Sequence, residues 1–264
     1  MKSCYEKAQE QKKELVRLGK IKSFKYVLSY GGGVNSSALF FYLLENNYEL
    51  DLVIYADTGE DEKTTYESIA EMKQVCKENN VEFVVVQSKL GNMYNYYHDK
   101  KAVMSFMKRD CTGKFKVYAI NNYLRSRFGK KTHFITYIGH AYDEKHRVTE
   151  SKVKYVTLIY PFVDDKIIRR EHEEILNNNS FFAVKSGCKG CIYKKKKDWV
   201  DMFINDRVEF DRWRKLEENN SKYPKVSING NFTLKQIADN WKDQSFLSSF
   251  ENEEKGCKSG YCNL

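Results

Sequence analysis

The stretch KYVLSYGGGVNSSALFFYLL, Lys25 to Leu44, runs from a short apolar segment through three glycines into a helical pattern. A strand-to-helix turn so poor in side chains restricts what can surround it. Glycine supplies backbone freedom and close approach, and the first N–H groups of a helix are unpaired and point outward, so the turn suits an anion such as phosphate. The run before the glycines reads as a buried strand, and SSALFFYLLENN has the continuous apolar character of a helix lying on a sheet. LDLVIYADTG is a second strand closed by Asp-Thr-Gly, a helix is expected from about Asp61 to Asn80, and EFVVVQS is a third strand. This alternation predicts an α/β fold with a mostly parallel, doubly wound sheet covered on both faces.

The flanks are less regular. An amphipathic helix is expected over residues 4–19, a loop-rich stretch over Lys89–Lys114 that contains Asp110-Cys111, and a helix over Phe115–Phe128. HFITY and VTLIYPFVD read as further strands, separated by a charged loop, and RREHEEILNNN as a helix ended by asparagines. From Ser180 the character changes to SGCKGCIYKKKKDW, helical segments near 197–218 and 233–241, and a polar tail ending KGCKSGYCNL. The expected organisation is an N-terminal helix (1–24), a nucleotide-binding α/β domain (25–180) and a small cysteine-bearing helical subdomain with its tail (181–264). No internal repeat is visible.

With 264 residues, 41% of them hydrophobic, the chain can bury a sizeable core. No stretch approaches the apolar length that spans a bilayer, and the N-terminus lacks the apolar centre of a secretory signal, so a soluble, cytoplasmic protein is expected. The formal charge of +9 favours a polyanionic partner, although scattered lysines account for much of it. Seven cysteines, an odd number, do not read as a disulfide framework. Cys4 and Cys76 fall in helical patterns as packed thiols. Cys111, Cys188, Cys191, Cys257 and Cys262 lie in loops or at element edges, often beside glycine.

Two familiar phosphate turns fail against SYGGGVNSS. No lysine follows the glycines, as a Walker A turn requires, and Ser36 stands where the dinucleotide fingerprint needs its third glycine. The pattern present is Ser-x-Gly-Gly-x-x-Ser-Ser, carried by Ser29, Gly31, Gly32, Ser36 and Ser37. It resembles the pyrophosphate loop of the PP-loop ATP pyrophosphatases. YADTGEDEKTTYESI, RDCTGKFKVYAINNYLR, IGHAYDEKHR (with Gly139, Asp143, Glu144 and Arg147), YPFVDD and SGCKGC then follow in the order of phosphoadenosine phosphosulfate reductase-like members, over about Lys25 to Trp199.

The resemblance implies an adenine nucleotide α-hydrolase-like fold that binds ATP with magnesium, or phosphoadenylyl sulfate. It implies nucleotide contacts at Ser29, Gly31, Gly32, Gly33, Asn35, Ser36, Ser37, Asp57 and Gly139, with the serine hydroxyls adding donors to the glycine amides. Asp57 and Asp143 are the carboxylates available near a metal–phosphate complex, and Arg147 is a clamp for phosphate oxygens. The bland alternatives are a turn former at Asp57 and a loop ion pair at Asp143 and Arg147. Asn35 stands where many PP-loop enzymes carry Asp, which keeps the shape and removes a charge.

Cys188 and Cys191 form a Cys-x-x-Cys turn on which two thiolates can converge. Reductase-like relatives bind a [4Fe–4S] cluster with that pair and an upstream Cys-Cys, of which Cys111 alone is present here. The leading ligand set is Cys111, Cys188, Cys191 and Cys262, with Cys257 as the other candidate for fourth ligand; zinc and a redox dithiol are the alternatives. Cys257 or Cys262 also sits where a phosphosulfate reductase carries its tail nucleophile, although the Glu-Cys-Gly-Leu-His-type tail is absent. Lys194 to Lys197 read as a solvated helix start or as contacts to a nucleic-acid backbone. Trp199, Trp213 and Tyr223 are core residues or base-stacking groups, and His140 is at most an indirect participant.

The leading expectation is an enzyme that adenylylates a substrate oxygen, for sulfur transfer to a nucleic acid from a sulfur-donor protein. The alternatives are reduction of phosphoadenylyl or adenylyl sulfate and a nucleotide-sensing module without turnover. Oligomeric state is not legible.

Overall fold

The computed structural model describes residues 4–17, 19, 21–104 and 109–243. Its centre is a five-stranded, all-parallel sheet: β1 (Ser23–Tyr30), β2 (Leu52–Asp57), β3 (Glu82–Gln87), β4 (Thr132–Tyr137) and β5 (Val156–Ile159), in the order β3-β2-β1-β4-β5. Leu28 of β1 lies opposite Val53 of β2 on one side and Tyr137 of β4 on the other. The expected α/β class and parallel sheet are therefore present. From β1 the chain moves outward to β2 and β3, then returns to the other side of β1 as β4 and β5. The reversal falls between β1 and β4, and in open α/β sheets ligands bind outside the carboxyl ends of the strands at such a point.

Helices α1 (Cys4–Arg17), α2 (Val34–Glu45), α3 (Lys63–Glu78), α4 (Met93–Asp99) and α5 (Tyr118–Phe128) precede β4. Five more follow β5: α6 (Pro161–Asp164), α7 (Arg169–Asn178), α8 (Lys196–Asn205), α9 (Arg207–Glu218) and α10 (Leu234–Asn240). Nine of the twelve residues of α2 are buried, as the all-round apolar sequence requires. One face of the sheet packs Leu28, Tyr30, Val53 and Tyr137 against α2, α3 and α7 through Ala38, Phe41, Met72 and Leu176. The other face packs Val27, Ile54 and Phe134 against Ala119 and Leu124 of α5. A third apolar cluster joins Met93, Tyr97, Met104 and Phe115 to Trp199, Phe210, Trp213, Leu216 and Leu234. Two stretches far apart in sequence thus build one small helical core.

Several expected boundaries shift for identifiable reasons. The loop-rich stretch 89–114 contains α4, capped by Asn92, whose side-chain oxygen accepts the Asn95 N–H at 3.0 Å. Tyrosines on both faces hide its periodicity, though Met93 and Tyr97, four residues apart, are buried. The helix expected from Phe115 starts as a π-helical turn at Thr112–Val117. VTLIYPFVD stops being a strand at Ile159, because Pro161 occupies the first turn of α6. The segment 197–218 is two helices broken at Asp206, whose carboxylate accepts the Glu209 N–H at 3.1 Å and starts α9. Among the described residues no helix is long and apolar enough to cross a membrane.

Candidate functional site

The glycine turn emerges from the carboxyl end of β1 and enters α2. Gly32 has φ +74°, the left-handed region where glycine is at home, and a Cβ there would lie 2.7 Å from Thr65 Cγ2. On the β4 side, a Cβ at Gly139 would lie 2.7 Å from the Asn35 carbonyl oxygen, so only glycine lets this loop rest on the first turn of α2. The turn and the Gly139 loop therefore meet at the carboxyl ends of β1 and β4, the point where the β1/β4 crevice of an open α/β sheet is expected.

The serines partly occupy themselves. Ser36 Oγ accepts the Gly31 N–H at 3.1 Å and donates to the Gly33 carbonyl at 3.1 Å. Ser37 Oγ pairs with Tyr30 Oη at 2.9 Å, which in turn meets Ser68 Oγ at 3.1 Å. These hydroxyls shape the turn. Ser29, 1% exposed, leaves its Oγ without a hydrogen-bond partner among the described residues. A buried, unsatisfied hydroxyl costs of the order of 1–3 kcal/mol and suits a site completed by a ligand.

Asn35 is the centre of a charged network. Its Oδ1 accepts from His172 Nδ1 at 3.0 Å and from Arg169 Nη1, while its Nδ2 donates to Glu144 Oε2 at 2.8 Å. One end of the amide thus faces a cation and the other an anion. Aspartate there would set a second carboxylate against Glu144, which gives a local reason for the amide. Glu144 also accepts the Ala141 N–H at 3.3 Å and pairs with Arg147 Nη1. The Arg147 guanidinium and the Ala141 amide hold its carboxyl below the usual range despite burial.

Arg147 is 7% exposed, and its Nε and Nη2 have no partner among the described residues. Those two nitrogens form the side edge of the guanidinium, the fork that receives an oxyanion in two parallel bonds. Burial, and to a lesser degree the Arg147 charge, lowers the pKa of Arg109, whose backbone φ is +46° and whose guanidinium lies 4.9 Å from the Tyr193 ring centroid.

The two candidate aspartates have local partners. Asp57 accepts the Gly59 N–H at 2.8 Å, Tyr66 Oη at 2.9 Å and Gln87 Nε2 at 2.9 Å. Asp143, exposed, accepts the Arg169 N–H at 3.3 Å. Asp61, buried one loop further on, accepts from Tyr55 Oη and from Thr58 Oγ1 at 3.2 Å.

The loop after β2 carries the cysteine turn. Asp61 and Cys188 form an isolated antiparallel bridge, the Lys189 N–H donates to the Glu60 carbonyl at 2.8 Å, and the Glu62 N–H to the Gly187 carbonyl at 2.9 Å. Glu60, 3% exposed, receives both terminal nitrogens of Arg212 on α9 at 2.7 and 2.6 Å. A Cβ at Gly190 would fall 2.2 Å from Trp213 Cζ3, so the turn lies flush on the indole.

Cys188 and Cys191 hydrogen-bond to each other. The Cys188 thiol, helped by the Tyr193 amide and the Lys116 and Lys194 ammoniums, outweighs burial and brings Cys191 down to about 6; Cys188, as the donor, goes up. Burial, then the charge of Cys191, pushes Cys111 up to about 11. Lys116, on the π-helical turn, is held protonated against its burial by Asp61 and the three thiols.

Of the candidate metal ligands, Cys111, Cys188 and Cys191 are among the described residues, and Cys257 and Cys262 lie outside them. Among the described residues no three His, Cys, Asp or Glu side chains make a metal-holding group.

Trp199 and Trp213 are fully buried in the helical core and not available to bases. Lys194 pairs with Glu62 at 2.7 Å and Lys196 is buried, so the lysine run is no uniform solvated face. His140 is buried and stacked on Tyr160 at 5.5 Å. The sequence reading missed His172, Arg169, Lys116 and the Glu60–Arg212 pair. None of these carries a signal in the sequence, and tertiary packing brings them in, whereas Glu144 is marked by its place in the motif with Asp143 and Arg147.

The phosphoadenosine phosphosulfate reductase domain model matches residues 25–156. Among solved structures, the U34-tRNA thiolase NcsA from Methanococcus maripaludis with its [4Fe-4S] cluster is similar at 20% identity, over 92% of this chain and 79% of that one, with a TM-score of 0.47. The phosphoadenylyl-sulfate reductase from Candida auris in its phosphate complex is similar at 11% identity, over 64% of this chain and 80% of that one, with a TM-score of 0.43. No curated protein matches the chain significantly. Through a match that spans half its length and takes in the glycine turn, the second strand, Cys111 and the Gly139–Arg147 loop, the chain belongs to the phosphoadenosine phosphosulfate reductase domain family.

Proposed function

We propose that the chain is a PP-loop enzyme that binds ATP in the β1/β4 crevice and adenylylates an acceptor oxygen. The observation that carries this reading is the Arg147 fork, buried and without a partner among the described residues, and tied through Glu144 to Asn35 in the first turn of α2, directly after the glycine turn. An acceptor oxygen attacks the α-phosphorus, the bond to the bridging oxygen breaks, and pyrophosphate leaves; a sulfur nucleophile then displaces AMP. The turn's amides and the Arg147 fork stabilise the charge that develops on the leaving pyrophosphate. Glu144 and Asn35 position that fork. Magnesium accompanies the nucleotide, with Asp57 and Asp143 as the candidate carboxylates. The acceptor class is nucleic acid, supported by the formal charge of +9 and by the tRNA thiolase among the similar structures, with a separate protein as sulfur donor.

The test is pyrophosphate release from ATP with RNA or DNA as acceptor. Product formed by the native chain and lost in Arg147→Ala supports the reading, and no product with any nucleic acid refutes it.

The family's name supports a second reading, reduction of phosphoadenylyl sulfate by a tail cysteine such as Cys257. Sulfite release in the presence of a dithiol reductant, abolished by Cys257→Ser, would establish it in place of the first. A [4Fe–4S] or zinc centre on Cys111, Cys188, Cys191 and Cys262 is a separate proposal, tested by iron, sulfide and zinc content of anaerobically purified protein.

A further inference from the structure

The segment that leads into the cysteine turn passes directly over the glycine turn. A Cβ added to Gly33, the residue that precedes α2, would lie 2.6 Å from Ser186 Oγ and 2.9 Å from Ser186 N. Glycine is required there because the two backbones touch. Ser186 is half-buried, and its hydroxyl makes no hydrogen bond among the described residues. It therefore presents an unused donor beside the first amides of α2.

The next residues tie this contact to the thiols. The Gly187 N–H donates to Thr65 Oγ1 at 3.4 Å, and Thr65 is the residue that crowds Gly32 from α3. The Gly187 carbonyl accepts from Glu62, Cys188 bridges to Asp61, and Lys189 donates to Glu60. Gly33, Thr65 and residues 60–62 thus hold the strap 186–189, with the candidate phosphate turn at one end and Cys188 at the other. A ligand that draws in the Ser186 hydroxyl must pull on the same strap that positions the thiol pair.

We propose that Ser186 is a binding residue of the nucleotide site, its hydroxyl donating to a phosphate oxygen held in the glycine turn. The strap Ser186–Lys189 carries that occupancy to Cys188 and Cys191. The proposal rests on the nucleotide reading given above. It assigns to one hydroxyl both part of the phosphate affinity and the communication between the two halves of the site.

The experiment is amide hydrogen exchange on the full chain, followed in peptides covering 30–37 and 183–192, with and without saturating ATP. In the native protein ATP is expected to slow exchange in both segments. A hydrogen bond to a charged phosphate implies that Ser186→Ala weakens ATP binding about tenfold. At an ATP concentration that saturates the variant again, protection of 30–37 returns and protection of 187–189 does not. Unchanged exchange of the ligand-free variant shows that it is folded. Undiminished ATP affinity, or equal protection of both segments in the variant, overturns the proposal alone. Native protein that binds no ATP shows protection in neither segment and overturns the nucleotide reading together with it.

Discussion

Burial of His172 makes the stability of the site depend on acid in a way that can be worked through. The ring is fully buried, stacked on Phe162 at a centroid distance of 4.0 Å, with Nδ1 3.0 Å from Asn35 Oδ1. Burial, and next the Arg169 guanidinium, bring its pKa from 6.5 down to about 4. Between those values the unfolded chain takes up a proton that the folded one refuses, so stability is complete above the unfolded pKa and falls as the pH drops. The slope is about 1.4 kcal/mol per pH unit, which gives a loss of about 2 kcal/mol by about pH 5 and about 3 kcal/mol by about pH 4. His133, whose pKa is also lowered by burial, acts in the same direction. Urea unfolding of the native protein and His172→Gln, followed by tryptophan fluorescence from about pH 7 to about pH 5, isolates the His172 share because His133 is common to both. The variant should lose about 2 kcal/mol less over that range. Equal losses would refute the reasoning. So would a His172 imidazole resonance titrating near its free value, a measurement that does not depend on the variant's folding.

Further substitutions test other parts of the site. Gly190→Ala drives a methyl to within 2.2 Å of the Trp213 ring and should cost about 3 kcal/mol in urea unfolding, whereas Gly187→Ala, with nothing within 4 Å, should stay within about 0.5 kcal/mol. Arg212→Ala leaves the Glu60 carboxylate, 3% exposed, without its counter-ion and with the Asn92 amide as its remaining side-chain donor, and should cost about 3 kcal/mol, read as a lower unfolding midpoint. Gly32→Val combines an unfavourable φ of +74° with the Thr65 contact and should abolish ATP binding measured by calorimetry. Asn35→Asp places a carboxylate against Glu144 and beside His172; the His172 pKa, followed by NMR, should rise.

Much of the sheet was legible because its strands are apolar runs punctuated by glycine, and the turn between β1 and α2 announced its own geometry. The order β3-β2-β1-β4-β5 was not, since periodicity carries no information about which strand lies beside which. At the site, Gly139 and Arg147 could be picked out from a motif. The partnership of Asn35 with Arg169 and His172 could not, because those residues are more than 130 positions apart and meet only when α7 docks on α2. The tyrosines of 94–97 concealed α4 for a related reason. An aromatic side chain serves equally well on a core face and on a surface, so its presence marks neither.

The small helical core has a bearing on how the chain is made. Met93, Tyr97 and Phe115 belong to it, yet their partners Trp199, Phe210 and Trp213 lie some eighty residues or more further on. A ribosome would extrude the first half of this core well before the second. During that interval the emerging chain carries an uncovered apolar surface, of the kind that chaperones bind and that promotes aggregation.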